Sequence, residues 1–493
     1  MPKEETKKDG TFDYSKLGLK CGLEIHQQLD TNKLFCNCPS ILRSDEPHYV
    51  VKRRLHVVAG ESGEIDKAAK YQASLEKEFV YQGYDTTCLV ELDEEPPHFI
   101  NEEALKIALQ ISILLNCKIL PYAQIMRKTV VDGSNTGGFQ RTLLIAQNGW
   151  IETESGKVGI QSICLEEDAA RIVETDKKNN IVVYRLDRLG IPLIEIATSP
   201  DIKTPEQAKE VALFIGDVLR SCKVKRGLGT IRQDVNMSVH EFGGKRIEIK
   251  GVQEPDLIVK TIDYEIRRQK ELIRNKKEVT SEVRKATESG ETEFLRPMPG
   301  ADRMYPETDL PLLKISRQKT DEVRRNIPQL RKDIAEELRK KGLNQEMIKL
   351  LFKQNKIEEL KELLVIYDKP ELVAKMLLLF PNEIASHEKV EDEKIQELLN
   401  RDALAFILEK LQAKKIKESD VKHVMERIVN GEEIEEAVKF EKSNVGDVEE
   451  KIHKIIKEKP GLNVNAYMGI VMKEFKGKVD GKTLMSIILK YAK

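Results

Sequence analysis

Glu24 and His26 stand two residues apart in Gly22-Leu23-Glu24-Ile25-His26. Read with the two-residue period of a strand, they share one face while Leu23 and Ile25 share the other. A carboxylate beside an imidazole is half of a site for a metal ion or a phosphate, and a solvated strand face is the plainer reading of the same pair. Three further segments repeat the design. Glu195 opposes Ile194 and Ile196, Arg232, Asp234, Asn236 and Ser238 oppose Ile231, Val235 and Met237, and Arg246, Glu248 and Lys250 oppose Ile247 and Ile249. Carboxylates, guanidiniums, amides and a histidine recurring on the polar side of four strands suit a cavity that handles phosphate and a cation. A fifth strand, from Val158 to Leu165, runs into Glu166-Glu167-Asp168. Three successive acids repel one another unless positive charge sits among them; a solvated acidic turn is the other reading.

Two loops and a thiol group complete the candidates. Asp132 to Arg141 is dense in glycine and small hydroxyl residues. Its backbone N–H groups, with Ser134, Asn135, Gly137 and Arg141, form a candidate phosphate or nucleotide loop, although a plain hairpin turn uses much of the same composition. Arg303-Met304-Tyr305-Pro306-Glu307-Thr308-Asp309-Leu310-Pro311 is a loop stiffened by two prolines and bearing two acids. Cys36 and Cys38, with Cys88 as a later ligand, are candidates for zinc, with inert thiols as the alternative.

The elements that must position these residues are mostly short alternating strands between Leu17 and Pro311, joined by a few helices. Asn101 caps a helix through Leu115, and Thr204-Pro205-Glu206-Gln207 opens another with a capping box. From Ser316 onward the pattern is helical and rich in Leu, Ile, Lys and Glu, which places a domain boundary near 312. The reading is an α+β chain: a mixed, largely antiparallel sheet with flanking helices, then helical domains. A length of 493 residues calls for about three domains.

Composition removes several classes. The net charge of −1, from 82 basic and 83 acidic residues, gives no global attraction to nucleic acid. Residues 451–493 are the local exception, with ten lysines against three acids. Seven irregularly spaced cysteines do not make a secreted disulfide framework. No stretch approaches the roughly 20 apolar residues that span a bilayer, and the charged first ten residues lack an apolar leader. The expectation is a cytoplasmic protein without membrane contact.

Read in order, Gly22-Leu-Glu-Ile-His26, Leu34-Phe-Cys-Asn-Cys-Pro39, Asp132-Gly-Ser-Asn135, Leu165-Glu-Glu-Asp168, Pro192-Leu-Ile-Glu195, Asp234-Val-Asn236 and Arg303-Met-Tyr-Pro-Glu-Thr-Asp309 resemble the GatB/GatE family. The wording of several, with Leu92-Asp-Glu-Glu-Pro-Pro97, is similar to the archaeal E branch rather than the bacterial B branch. The resemblance implies an N-terminal cradle domain over 1–312, a linking helical domain over 313–420 and a tRNA-gripping tail domain over 421–493. It also implies ATP- and magnesium-dependent conversion of Glu-tRNA(Gln) to Gln-tRNA(Gln) through a γ-phosphoryl-glutamyl intermediate. Carried over by position, the magnesium ligands are Glu24, His26, Glu167 and Glu195. Arg232, Asp234 and Lys250, whose roles the motifs do not fix, are assigned from their own chemistry to phosphate stabilisation and positioning.

Two departures stand out. The inserted domain that resembles part of aspartyl-tRNA synthetase, expected after the segment matching 265–275, is absent, since Arg274-Asn-Lys-Lys277 runs straight into Glu278. The paired CxxC of the bacterial type is reduced to Cys88. No nucleophile signature for releasing ammonia occurs, so the resemblance implies a partner, an asparaginase-like D subunit or, alternatively, an amidase-type A subunit. The competing readings are a non-catalytic tRNA-binding or assembly protein on the same fold, and a stand-alone ligase using free ammonia.

Overall fold

The computed structural model describes residues 12–59, 63–65, 67–298, 304–354, 356–439, 445–475 and 481–491. Residues 1–11, Arg303 of the proline-stiffened loop, and Lys476, Lys478, Asp480 and Lys493 of the basic tail lie outside the described residues.

In chain order the strands are β1 (Leu19–Gln28), β2 (Tyr49–Arg53), β3 (Glu78–Gly83), β4 (Lys118–Ile119), β5 (Tyr122–Ala123) and β6 (Ile125–Thr129). There follow β7 (Phe139–Thr153), β8 (Gly156–Glu167), β9 (Arg171–Asp176), β10 (Ile181–Arg185) and β11 (Pro192–Thr198). The last are β12 (Ile231–Val239), β13 (Ile247–Lys250), β14 (Glu282–Ala286), β15 (Thr292–Pro297), β16 (Met304–Pro306) and β17 (Leu313–Lys314). The helices among them are α1 (Tyr14–Leu17), α2 (Lys67–Ala73), α3 (Glu102–Leu114), α4 (Pro205–Ser221), α5 (Pro255–Arg274) and α6 (Arg317–Arg325).

One large sheet carries the order β15-β14-β13-β12-β1-β11-β8-β7-β6-β16, with β4 added on β7. Its neighbours are antiparallel except β13 and β14, which run parallel and are joined by the crossover helix α5. A second sheet, β2-β3-β10-β9, and the pair β17-β5 complete the strands. The fold is therefore α+β, as the strand pattern predicts.

The apolar face of the large sheet is covered by helices. Leu23 and Ile25 of β1 are buried with Val211, Ile215 and Val218 of α4, Ile258, Ile262 and Ile266 of α5, and Ala104, Ala108 and Ile111 of α3 in one core. The helix starts follow from local chemistry. The Asn101 side chain accepts from the Ala104 N–H at 3.0 Å, and the Thr204 hydroxyl accepts from the Gln207 N–H at 3.1 Å. The Gln207 side chain reaches back to the N–H of Lys203, one residue before the cap, rather than to that of Thr204.

The chain divides into Met1–Arg331 and Lys332–Lys493. Residues 313–331, grouped by pattern with the helical region, belong to the first unit because Ile315 and Val323 enter its core and α6 lies on α3. In the second unit, described by itself, one apolar cluster runs from Ile334 to Ala437 and another from Val448 to Ile488. Val421, Val424 and Met425 join the earlier cluster. Among the described residues no helix is long and apolar enough to cross a membrane.

Candidate active site

Opposite the helices, the polar face of the large sheet lines a cavity of about 600 Å³. Its position follows from register. His26 on β1 lies between Arg232 on β12 and Glu195 on β11, and Glu24 lies between Asp234 and Ala197. Glu195 is in turn opposite Cys164 of β8, and Glu166 is opposite Thr142 of β7. Five antiparallel strands thus deliver their polar side chains to one place.

The floor is acidic. His26 Nε2 lies 3.2 Å from Glu195 Oε2 and 3.6 Å from Glu24 Oε1, and donor atoms of all three residues lie within 4.8 Å of one another. Burial raises the Glu24 carboxyl and the Glu195 charge adds to it, while His26 and Lys250 offset part. Burial works against the imidazolium of His26, but Glu195, Glu24 and Glu166 together hold its pKa above the ordinary value. Burial likewise opposes ionisation of Glu195, and Lys128 and His26 overcome it, so Glu195 titrates below the usual carboxylate range. Two carboxylates and one imidazole at this spacing fit a hard divalent cation that keeps some of its waters.

The walls are cationic and neutralised in pairs. Lys250 Nζ lies 2.7 Å from both Asp234 Oδ2 and Glu248 Oε1. Burial lowers this ammonium, yet the two carboxylates outweigh that and raise its pKa above the usual lysine range. Arg246 donates to Asn236 Oδ1 at 2.9 Å, and Arg232 to Asp168 Oδ1 at 2.8 Å. Asp168 also accepts from Gln28 at 2.6 Å. Lys128 of β6 enters from the far side, 2.6 Å from Glu166 Oε1 and 3.7 Å from Glu195 Oε2.

Of the residues singled out from the sequence, the cavity therefore brings together Glu24, His26, Glu195, Arg232, Asp234 and Lys250. It does not include Glu167. That carboxylate lies on the opposite side of β8, accepting from the Arg141 N–H at 3.2 Å, with the Arg141 guanidinium at 3.5 Å. Burial raises its pKa despite that guanidinium. The acid that faces the cavity is Glu166. The reason is a phase change. Val158 and Ile160 face the core, but so do Ile163 and Leu165. Register against β11 slips here, pairing Ala197 with Ser162 and Thr198 with Ile160, so that Gln161 is an extra residue. Beyond it every side chain of β8 has changed sides.

The glycine-rich loop also departs from expectation. Ser134 donates to Asp132 at 2.6 Å, Asn135 is buried, and a Cβ at Gly137 would meet Asp93 Oδ2 at 2.6 Å. Asp132 is the member of the Asp132–Asn135 segment that lines the cavity. Arg141 is clasped between Glu167 and Glu307, with Nε 2.8 Å from Glu307 Oε2. Arg127 holds the same carboxylate at 2.6 and 2.8 Å, which assigns Glu307 of the proline-stiffened loop to bracing β6 and β7.

A second cluster lies near Glu167. Donor atoms of Cys36, Cys38, Cys88 and Glu91 fall within 4.8 Å of one another. Cys36 Sγ is 3.3 Å from Glu91 Oε1, and Glu91 also takes the Cys88 N–H at 2.8 Å and the fully buried Lys33 ammonium at 2.7 Å. Hydrogen bonds from Cys36 and Cys88 bring the Cys38 thiol below its ordinary range. Three sulfurs and one carboxylate suit tetrahedral zinc. Sequence reasoning missed Glu91, three residues after Cys88, and Lys128, whose alternation with Arg127 was the available signal.

The family model of the GatB/GatE catalytic domain matches residues 19–321. Similar relatives include the E subunit of glutamyl-tRNA(Gln) amidotransferase from Methanocaldococcus jannaschii, 36% identical over 637 positions covering 98% of this chain and 99% of that one. The E subunit from Archaeoglobus fulgidus is 36% identical over 623 positions at the same coverage. That of Methanococcus maripaludis strain C5 is 54% identical over 286 residues, 56% of this chain and 45% of its own. The 637 positions exceed the 493 residues present here, so the Methanocaldococcus relative carries residues that this chain lacks.

Proposed function

The chain belongs to the GatB/GatE family, and from that premise we propose that it is the ATP-dependent transamidating subunit of a cytoplasmic glutamyl-tRNA(Gln) amidotransferase. The observation that carries this reading is the pairing, in one cavity, of the Glu24, His26 and Glu195 group with Lys250, Arg232 and Arg246. Phosphoryl transfer needs positioning and charge stabilisation more than covalent help, and this arrangement supplies both.

Glu24, His26, Glu195 and the neighbouring Glu166 would hold magnesium, which when bound supplies positive charge to the phosphates of ATP. Lys250 and Arg232 are placed to take phosphate oxygens, with Asp234 holding the Lys250 ammonium in position. In the first step a side-chain carboxylate oxygen of the glutamyl group attacks the γ-phosphorus. The O–P bond forms as the bond to the β-phosphate oxygen breaks and ADP leaves. In the second, the ammonia lone pair attacks the acyl carbon, the C–O bond to phosphate breaks, and phosphate and a proton depart.

Ammonia comes from a partner amidohydrolase, an asparaginase-like D subunit or an amidase-type A subunit. Cys36, Cys38, Cys88 and Glu91 would hold zinc as a structural brace. The test is phosphate release from ATP with magnesium, with and without Glu-tRNA(Gln). Release that requires the charged tRNA is expected, and Glu195→Gln reduces it about a hundredfold or more. A chain that binds the tRNA but releases no phosphate, even with the partner added, is a binding protein instead.

A further inference from the structure

Among the described residues five lysine and arginine side chains line the cavity, and four of them are already committed. Lys128 meets Glu166 at 2.6 Å, Arg232 meets Asp168 at 2.8 Å, and Lys250 meets both Asp234 and Glu248 at 2.7 Å. Arg246 donates to Asn236 at 2.9 Å and lies 3.9 Å from Glu248. The fifth is Arg296, half-buried, which has no hydrogen bond or ion pair among the described residues.

Its place there follows from β15. At Thr292 the strand faces α5. The Thr292 hydroxyl donates to Glu265 Oε2 at 2.9 Å, while Arg284 of β14 donates to that hydroxyl at 2.8 Å and to the Thr292 carbonyl at 2.6 Å. Glu265 is fully buried and also accepts from Arg268 and Gln269 at 2.7 and 3.0 Å, so this end of β15 is fixed. Strict alternation would keep Arg296 on the same side as Thr292. The pairing slips instead. Arg284 is opposite Phe294 but Val283 is opposite Arg296, which leaves Leu295 as an extra residue. Beyond it the side chains change faces, and Arg296 and Met298 both line the cavity. Arg296 stands in one row with Val283 of β14 and Glu248 of β13, its backbone two strand spacings, about 10 Å, from that of Glu248.

We propose that Arg296 receives an oxyanion of the reacting centre, either the terminal phosphate of the nucleotide or the glutamyl carboxylate to which it is transferred. The inference rests on the phosphoryl-transfer reading of the cavity and adds the cation that the fold leaves uncommitted for it. Lys128, Arg232 and Lys250 must each loosen a carboxylate before they can hold a second anion, whereas Arg296 has none to give up. A guanidinium presents a planar fork that matches two oxygens of a phosphate or a carboxylate. As the carboxylate oxygen bonds to phosphorus and the bond to the β-phosphate oxygen breaks, charge spreads over the phosphoryl oxygens, and a guanidinium at that place stabilises it. A charge on an edge strand also deters pairing between sheets, which is the plainer role for an arginine on β15. That role does not require the guanidinium to face the cavity, and the extra residue at Leu295 turns it there.

The test compares the full chain with Arg296→Gln and Arg296→Lys. Phosphate release is measured with Glu-tRNA(Gln), and binding is measured separately for the β,γ-imido analogue of ATP, for ADP, and for charged and uncharged tRNA, all with magnesium. Arg296→Gln lowers kcat for release about a hundredfold. Arg296→Lys recovers part of that, because it keeps the charge and loses the fork. Both variants melt like the wild type, since no bond within the fold is removed. A roughly tenfold weaker hold on the triphosphate analogue with ADP unchanged assigns the terminal phosphate. Unchanged nucleotide binding with weaker Glu-tRNA(Gln) and normal uncharged tRNA assigns the carboxylate. The proposal is overturned if both variants release phosphate like the wild type, or if analogue, ADP and uncharged tRNA all weaken equally. A wild-type chain that releases no phosphate removes the catalytic reading, and the two binding comparisons then decide for Arg296 on their own; normal release by wild type and variants alike removes this proposal alone.

Discussion

Glu166 and Glu167 are adjacent and chemically identical, yet they serve different environments. Glu166 meets Lys128 in the cavity, and Glu167 meets Arg141 inside the fold. Exchange of each for glutamine separates the two. Glu166→Gln lowers ATP cleavage in the folded protein, while Glu167→Gln leaves cleavage near wild type and costs about 2 kcal/mol because Arg141 loses one of its carboxylates; urea unfolding alongside phosphate release measures both. Equal effects on activity and stability in the two variants would contradict the assignment. Glu307 offers a pH test. Burial opposes its ionisation, but Arg127 and Arg141 bring it down from the ordinary 4.5 to about 2. A group with a depressed folded-state pKa contributes its stability fully above the unfolded value and loses it as pH falls through the folded one. Wild type should therefore lose its advantage over Glu307→Gln, about 3 kcal/mol at neutral pH, between pH 4.5 and 2, as denaturant titrations across that window will read. The faces of Glu24, His26, Glu195, Arg232 and Asp234 were legible because each strand keeps a two-residue period through those positions. Which of the paired glutamates faces the cavity was not legible, because Gln161 is one extra residue in β8 and residue types do not announce a slipped register. Arg141 was misleading for a related reason: it alternates with Gln140 and Thr142, and the neighbours rather than Arg141 line the cavity.

At the scale of elements, β1 is the central device, with one face in the core and the other in the site. Ile25 is fully buried against the helices that cover the sheet. Ile25→Ala should cost about 3–4 kcal/mol in urea unfolding, from lost transfer and a residual cavity. Because the backbone register with β11 and β12 does not depend on that side chain, the KM for ATP stays near wild type at temperatures where the variant is folded. A large rise in KM would mean that the strand shifts when its apolar face is trimmed. The starts of α3 and α4 were readable from Asn101 and Thr204, whose caps are local. That both helices pack on one side of a sheet was readable as well, and the shared core with β1 bears it out; which strands they meet was not, since that depends on contacts distant in sequence. The cluster of Cys36, Cys38, Cys88 and Glu91 likewise joins separate segments, and its fourth donor emerges only when the Cys88 loop folds back on Lys33.

At the scale of the molecule, Met1–Arg331 contains the sheet, its covering helices and the whole cavity, so a chain ending at Arg331 should melt cooperatively and keep its binding of ATP. Calorimetry and nucleotide titration check this; a broad, non-cooperative melt would show that the helical unit is needed for the first to fold. Parallel strands β13 and β14 add a consequence of another kind. Parallel neighbours need a long crossover, and here α5 supplies it, followed by the short bridge from Asn275 to Ser281. The strands are held by their ladder and by the α5 core contacts, not by the length of that bridge. Lengthening a loop costs only about 0.6 kcal/mol per doubling. The bridge is thus a port at which a whole module can be gained or shed over evolutionary time while the ladder of the sheet stays in place.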